Sequence, residues 1–306
     1  MTILAILADV HGNLPALQAV AEDFKAFQPE SILVAGDLTG GPQANECIRL
    51  LQGLGGEMIL GNSDLNLLRL ADGCAPGSWS TSRQFGLLRW ALRNIDQHCL
   101  KLLRGLPEQR VFRKPGVHPI RVVHGSIRDP YESLYPERET ERLDLALAQT
   151  SEAVLVCGHT HEPWILRRNG KLALNPGAVA APLNAEIGAQ YALLRWEHGG
   201  WQAELRRVDY DLSAIRRAYE TSGLLVEGRP LAGCHLLGIE SGRDIALQFL
   251  TYAHRLAETA GFGRCTVLPD EIWEQAEASF DWENAGTEAM AMDETVLMHN
   301  PGRKAR

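Results

Sequence analysis

The first sixty residues alternate between short apolar runs and longer segments with apolar side chains at helical spacing. The runs at 3–8, 31–35 and 57–60 have the length of buried strands. Between them, residues 14–27 and 44–51 carry apolar side chains at intervals of three and four, which predicts amphipathic helices. This alternation of strands and helices predicts a parallel sheet with crossover helices.

The middle of the chain continues this pattern. Residues 65 to about 110 are mostly helical in pattern, with one apolar stripe running from Phe85 to Leu102. Predicted strands at 119–123 and 153–156 follow, separated by a predicted helix at 138–149. These strands are also short and apolar, as buried strands are.

Four further strands are predicted before residue 209, with hairpin turns at Gly170 and Gly199-Gly200. They cover residues 164–167, 171–174, 190–196 and 201–208. We expect these four strands to form a second sheet, mixed or antiparallel, stacked on the first. The core of the protein is thus predicted to be of the α/β class.

A change in pattern after Asp211 predicts a division into residues 1–212 and a mainly helical extension, residues 213–306. Predicted helices lie near 213–222, at 245–256 and around Trp273. The extension is interpreted as a lid, as a dimerisation arm that would make the protein a homodimer, or as a stabilising wrap. Packing on its own or a partner subunit is favoured over a lid, because the amphipathic helix must cover an apolar surface.

Composition narrows the class of protein. Apolar residues make up 45% of the 306 residues and charged residues 22%, as in a soluble globular protein. Six cysteines without a close pair are typical of reduced thiols, and no apolar segment reaches membrane-spanning length, so a cytoplasmic protein is predicted. The net charge of −8 argues against coating of nucleic acid or membrane. Bound metal ions would still allow an anionic substrate.

Five predicted strands end in side chains that are able to bind a metal: Asp9, His11, Asp37, Asn62, His124, His159 and His161. The carboxyl ends of parallel strands share one edge of a sheet, so these seven donors are expected to converge. Seven donors suit two ions that share a bridging carboxylate. The absence of thiolates favours Mn, Fe, Zn or Ni over a structural zinc site. The alternative is a set of buried polar residues that satisfy one another.

The order of these motifs resembles that of the calcineurin-like metallophosphoesterases, most closely the small bacterial and archaeal phosphodiesterase branch. The shared segments are Asp9-x-His11, Gly36-Asp37, Gly61-Asn62-x-Asp64, His124-Gly125, Gly158-His159-Thr160-His161 and Asn175-Pro176-Gly177. The resemblance covers roughly residues 1 to 210. It implies a four-layer αββα sandwich of two mixed sheets with a two-metal site at its edge.

The resemblance also implies roles for the seven donors. Asp9, His11 and His161 would hold one divalent ion; Asn62, His124 and His159 would hold the other; Asp37 would bridge the two. Asp37, Asn62 and His124 would then act in catalysis, with a metal-bridging hydroxide attacking phosphorus in line. The implied activity is that of a phosphodiesterase or nucleotide hydrolase on a small phosphate ester. Alternatives are a non-catalytic scaffold, as in a retromer-coat subunit with a degraded site, and a nuclease, which the acidic balance argues against.

One position departs from the larger phosphatases of that family. Where they carry a histidine thought to protonate the leaving group, this chain has Ser63, whose hydroxyl is no acid near neutral pH. Esters with easily departing alcohols, such as nucleotides or aryl alcohols, are therefore expected to be favoured over alkyl esters.

Four residues are candidates for contact with substrate: Asn13, Asn62, Asp64 and Arg128. Asn13 could instead cap the helix that follows it, and capping is favoured over catalysis for Asp64. Arg128 would bind phosphate through its guanidinium, although an ion pair with Asp129 or Glu132 is the commoner arrangement.

Overall fold

The computed structural model describes residues 2–138 and 140–286, which form two five-stranded sheets with helices around them. The strands within this part of the chain are β1 Ile3–Leu7, β2 Ser31–Val34, β3 Glu57–Met58, β4 Gln109–Phe112, β5 Ile120–Val123, β6 Val154–Val156, β7 Trp164–Arg168, β8 Lys171–Asn175, β9 Ala189–Glu197 and β10 Gly200–Val208.

The helices connect the strands and make up the C-terminal extension. They are α1 Leu14–Lys25, α2 Ala44–Gly53, α3 Asn62–Ala71, α4 Ser78–Thr81, α5 Gly86–Asn94, α6 Gln97–Arg104, α7 Thr140–Gln149, α8 Leu212–Thr221, α9 Leu224–Glu227, α10 Leu231–Ser241, α11 Ile245–Thr259 and α12 Asp270–Ser279, with a 3₁₀ turn at Arg83–Phe85.

The first sheet has the strand order β10-β9-β1-β2-β3. Its β1, β2 and β3 are parallel, which confirms the sheet with crossover helices predicted from the first sixty residues. On the other side of β1, β9 runs antiparallel to it, with Ile6 opposite Ala192. The sheet is therefore mixed, and β1 lies at its centre.

The second sheet has the order β4-β5-β6-β8-β7. The expectation that all four strands between 164 and 208 form this sheet is wrong, because β9 and β10 belong to the first one. The two predicted hairpins are present, but β9 pairs with the otherwise open edge of β1, and turn signals carry no information on that pairing. β4, at residues 109–112, was not predicted.

Alternate side chains of β1 belong to two different cores. Leu4 and Ile6 pack between the sheets against residues such as Val122 and Val156, whereas Ala5 and Leu7 pack against helices. The outer face of the second sheet is covered by a core that includes Leu143 of α7. The arrangement is the αββα sandwich predicted from the resemblance, with two mixed sheets.

The helical stripe predicted from Phe85 to Leu102 is interrupted. It is split between α5 and α6, since Asp96 accepts a hydrogen bond from the backbone N–H of Cys99 at 2.9 Å and starts a new helix. This is the ordinary action of an aspartate N-cap.

The extension packs partly on the sandwich and partly on itself. Ile215 of α8 and Leu236 of α10 join the helix-facing core of the first sheet. Phe249 of α11 and Trp273 of α12 form a separate cluster with ring centroids 5.2 Å apart. Residues 287–306, the end of the predicted extension, lie outside the described residues. Among the described helices, none combines the length and the apolar character needed to cross a bilayer.

Candidate metal centre

The predicted metal ligands meet at one edge of the sandwich, but they come from both sheets. Asp9 and Asp37 follow β1 and β2 of the first sheet, whereas His124 follows β5 of the second sheet. The sequence predicted that the ligands would converge at the edge of a single parallel sheet. They do converge, but at an edge where strands of two sheets end side by side. Asp9, Asp37 and His124 are all at least 97% buried.

One cluster of candidate ligands consists of Asp9, His11 and His161, whose ligand atoms all lie within 4.8 Å of one another. The Nε2 atoms of His11 and His161 are 3.2 Å apart. Asp9 Oδ1 lies 3.4 Å from His161 Nε2. Two imidazoles and a carboxylate are a donor set that divalent transition metals bind well.

A second cluster consists of Asp9, Asp37 and His124. His124 Nε2 lies 2.8 Å from Asn62 Oδ1 and 3.5 Å from Asp37 Oδ1. The other oxygen of Asp37, Oδ2, lies 3.4 Å from His11 Nε2. Asp37 therefore presents one oxygen to an imidazole of each cluster.

Three of the four imidazoles are oriented in the same way by the backbone. The Nδ1 atoms of His11, His124 and His161 lie 2.7–2.9 Å from the carbonyl oxygens of Thr39, Ala35 and Ala181. A carbonyl oxygen only accepts, so Nδ1 carries the hydrogen, and the neutral ring turns the lone pair of Nε2 inward. Nε2 lone pairs that face each other and a carboxylate repel, and a cation between them, either a proton or a metal ion, removes that repulsion. The residues therefore fit divalent metal ions.

His159 belongs to neither cluster. Its ring packs edge-on against that of His124, with centroids 5.2 Å apart, and its backbone N–H donates to Asp9 Oδ2 at 3.0 Å. Burial, followed by the charge of His124, lowers the pKa of His159 to about 4, so that the ring is neutral near pH 7. A neutral imidazole is the form that binds metals.

The Asp9–His161 pair has shifted protonation equilibria. Burial acts to raise the pKa of Asp9, but the charge and hydrogen bond of His161 lower it below its usual range. Burial acts to lower the pKa of His161, but Asp9 raises it above its usual range. A metal ion that takes His161 Nε2 must therefore compete with a proton.

The loops that carry the ligands adopt an unusual backbone conformation. Asp9, His11, Asp37, His159 and His161 all have positive φ angles, between 39° and 71°. Non-glycine residues avoid this region, at a cost of about 1–3 kcal/mol each, and such residues concentrate at functional sites. The arrangement is held by contacts between loops, such as the hydrogen bond from His11 N to Asp37 O at 2.9 Å.

A family model of the calcineurin-like phosphoesterase superfamily domain matches residues 1–199, more than half of the chain. The chain belongs to this superfamily. It is therefore a metal-dependent phosphoesterase, which confirms the family and the class of activity that the motif order predicted.

Similar proteins occur in archaea and bacteria. An uncharacterized protein of Methanocaldococcus jannaschii is 26% identical over 242 residues, covering 72% of this chain and 91% of the relative. The structure of a metallophosphoesterase from Sphaerobacter thermophilus aligns with a TM-score of 0.64 at 25% identity, covering 79% of this chain and 99% of that one. A hypothetical protein from Pyrococcus horikoshii shares the fold, with a TM-score of 0.66, 20% identity and the same coverage.

The similarity to the archaeal relative extends further along the chain than the motifs, which end before residue 210. The 72% covered by the archaeal relative is about 220 of 306 residues, and only 212 residues precede the predicted extension. At least the beginning of the extension is therefore shared with that relative.

Close backbone packing holds the ligand loops of the phosphoesterase. A Cβ atom added to Gly61 would overlap Oδ1 and the backbone nitrogen of Asp37. We expect Gly61→Ala to lower the free energy of unfolding by about 1–3 kcal/mol and to lower activity, because Asp37 must move. Gly53→Ala, in α2, is the control, since no atom lies within 4 Å of its added Cβ. Urea unfolding monitored by circular dichroism would measure the stability of both variants. A Gly61→Ala variant as stable as the wild type would contradict the close packing of Gly61 on Asp37.

Ser63 and Asp64 both contact the loop that carries Asp37. Ser63 donates to Asp37 Oδ1 through its backbone N–H at 2.8 Å and to Oδ2 through its hydroxyl at 2.9 Å. Asp64 is fully buried and accepts hydrogen bonds from Leu38 N, Thr39 N, Thr39 Oγ1 and Gly61 N. It lies in the first turn of α3 and not at the N-cap, because the helix starts at Asn62. Burial and the charge of Asp37 raise the pKa of Asp64 to about 6.

Two candidate substrate-binding residues make structural contacts. Asn13 is fully buried; it accepts a hydrogen bond from Ala16 N and donates to Ala180 O and Tyr210 Oη, which favours the capping alternative. Arg128 pairs with Glu132 at 2.5 Å, which favours the ion-pair alternative. Neither residue lines the cavity beside the ligands.

A cavity of about 340 Å³ opens beside the metal ligands of the phosphoesterase. His11, Asp37, Asn62, His159 and His161 line one side. The extension contributes α10, α11 and the residues between them to the lining, with three polar residues that no sequence motif indicated: His235, Arg243 and Asp244. The extension thus packs on the sandwich and also forms a wall of the cavity.

Proposed function

We propose that this phosphoesterase is a binuclear phosphodiesterase or nucleotide hydrolase that acts on a small phosphate ester. The observation that carries the proposal is the shared orientation of three imidazoles. Backbone carbonyls accept from Nδ1 of His11, His124 and His161, so their Nε2 atoms and the carboxylates of Asp9 and Asp37 face a common space. Three imidazoles and two carboxylates around one space are more donors than a single tetrahedral ion takes, which favours two ions over one.

In the proposed arrangement, Asp9, His11 and His161 would hold one ion, and Asn62, His124 and His159 would hold the other. Asp37 would be a ligand of both. Its support is that Oδ2 approaches His11 Nε2 and Oδ1 approaches His124 Nε2, at 3.4 and 3.5 Å. The 2.8 Å separation of Asn62 Oδ1 from His124 Nε2 supports a common ion for those two residues. With nitrogen and oxygen donors alone, Mn, Fe, Zn and Ni are the candidate metals.

Both the bound ions and the side chains around them would contribute to hydrolysis. Divalent ions at these positions would lower the pKa of a water molecule and neutralise charge on the phosphoryl oxygens. Ser63 fixes the carboxylate of Asp37 with two hydrogen bonds, and the Thr39 and Ala35 carbonyls fix the two rings beside it. Asn62 is the first residue of α3, and in the proposed site its side chain and the N-terminus of that helix, which favours anions, would face the phosphoryl group.

Removal of metal tests this proposal. We expect a chelator to lower kcat/KM on bis-(4-nitrophenyl) phosphate by at least about 100-fold, because the ions supply most of the transition-state stabilisation. Mn²⁺ should restore activity to chelated protein with about two ions bound per chain, as measured by elemental analysis. A panel of mono- and diesters, cyclic nucleotides and dinucleoside polyphosphates would then identify the favoured class.

The same experiment separates the proposal from its alternatives. One bound ion per active chain would contradict the binuclear arrangement. Two bound ions without turnover on any ester would instead favour the non-catalytic scaffold. Preferred cleavage of single-stranded nucleic acid would favour the nuclease.

A further inference from the structure

The wall that α10 and α11 add to the cavity differs from the ligand side in chemistry. It presents mainly apolar side chains, including Leu231, Ile239 and Leu250. Arg243 is the one lysine or arginine among the described residues that line the cavity, and its side chain lies in an exposed position. Asp244 is occupied as the N-cap of α11, where it accepts from Leu247 N at 2.8 Å.

This distribution of charge restricts the substrate. A ligand with several phosphates, or a nucleic-acid strand, needs cations along its length beyond those at the reacting phosphate. One exposed arginine does not supply them, whereas an apolar alcohol group would bury its surface on the wall. The cavity volume is also within the range of sites for small molecules.

His235 is the imidazole that α10 contributes to the lining of the cavity. His235 lines the same cavity as the candidate ligands His11 and His161. No described residue forms a hydrogen bond with either ring nitrogen of His235, and the residue borders the cavity. A neutral imidazole with an unused N–H is a hydrogen-bond donor for a bound oxygen.

We propose that the α10–α11 wall binds the alcohol part of an ester with a single phosphate group, and that His235 donates a hydrogen bond to the leaving-group oxygen. This inference rests on the proposed function. Hydrolysis breaks the bond from phosphorus to the alcohol oxygen and forms one to a water oxygen, and water also supplies the proton that the alcohol gains. In-line displacement places the leaving group opposite the attacking oxygen. His235 thereby acts where Ser63, which is hydrogen-bonded to Asp37, does not.

Phosphonates test the wall without turnover. In Mn²⁺-loaded protein, calorimetry should show phenylphosphonate binding about tenfold more tightly than methylphosphonate. Leu231→Ala should shrink that preference to about threefold or less, since the lost side chain borders the cavity. The matched control is Leu237→Ala on the same helix, where the side chain is 37% exposed and lies outside the cavity lining. Equal binding of the two phosphonates by the wild type would overturn the proposal.

A series of substituted phenyl esters, matched in size but differing in the pKa of the phenol, tests His235. His235→Ala should lower kcat/KM by about 10- to 100-fold for poor leaving groups and by less than about threefold for 4-nitrophenol. The slope of log(kcat/KM) against leaving-group pKa should therefore steepen, with metal content unchanged. The control is His98→Ala, which removes an exposed ring paired with Gln52. A parallel loss across the series would overturn the role of His235.

The two proposals fail in different ways. If the wild type discriminates the phosphonates but hydrolyses no ester, the wall is supported and the proposed function fails. If it hydrolyses esters but does not distinguish the phosphonates, the proposed function stands and the wall proposal fails.

Discussion

Asp37→Asn is expected to lower kcat/KM by about 100- to 1000-fold and to reduce the metal bound by the purified protein. The reason is position, because the two oxygens of Asp37 lie within 3.5 Å of the Nε2 atoms of His11 and His124. The substitution keeps the shape of the side chain and removes its charge. An amide nitrogen then faces one imidazole lone pair and repels any cation there.

Steady-state kinetics and elemental analysis of the same preparation would measure both effects. Asp72→Asn is a suitable control, since that carboxylate is exposed, pairs with Arg104 at 2.6 Å and lies at the other end of α3 from Asn62. Full activity with full metal content in Asp37→Asn would contradict a bridging role. Full activity with half the metal would limit the role of Asp37 to one ion.

Asp64→Ala is expected to lower the free energy of unfolding by about 3–5 kcal/mol. The buried carboxylate accepts from backbone N–H groups of Leu38, Thr39 and Gly61, and its removal leaves these donors without partners. Asp64→Asn should cost less, about 1–2 kcal/mol, because one oxygen remains as an acceptor. The difference between the Ala and Asn variants therefore measures the lost hydrogen bonds more than the lost shape of the side chain.

Urea unfolding of chelated protein would give these values without a contribution from bound ions. Thr39→Val provides a smaller reference step, since it removes only the hydroxyl that donates to Asp64 Oδ1 at 2.8 Å. If Asp64→Ala kept its stability within about 0.5 kcal/mol and lost activity alone, the substrate-binding alternative for Asp64 would be favoured.

Local patterns in the sequence predict the secondary structure and the strand ends well. The apolar runs before Asp9 and Asp37 are β1 and β2, and Gly170 does lie in the β7–β8 hairpin. Pairings between distant segments are not encoded in such patterns. β9 joins β1 across about 190 residues of sequence, and its burial on both faces is compatible with either sheet.

In the candidate site, too, the sequence predicts the local features but not those that depend on tertiary packing. The ligand types and their order are visible in the sequence, because each follows an apolar strand. The wall residue His235 is not, since it lies in the middle of a helix among apolar neighbours such as Leu236 and belongs to no motif. Its place at the cavity depends on how α10 packs on the sandwich, which is tertiary information. The positive φ angles of Asp9 and Asp37 are likewise set by contacts between loops.

The origin of the ligands in two sheets has a mechanical consequence. Asp9 and Asp37 follow strands of one sheet and His124 and His159 follow strands of the other, so an ion held by both sets would act as a cross-link between the sheets. Its binding free energy is then coupled to the docking of the sheets. Ile6 and Val156 lie in the layer between the sheets, so substitutions that shift one sheet relative to the other would alter the spacing of the ligands. The inter-sheet core is therefore a place where metal preference can be tuned without changing any ligand.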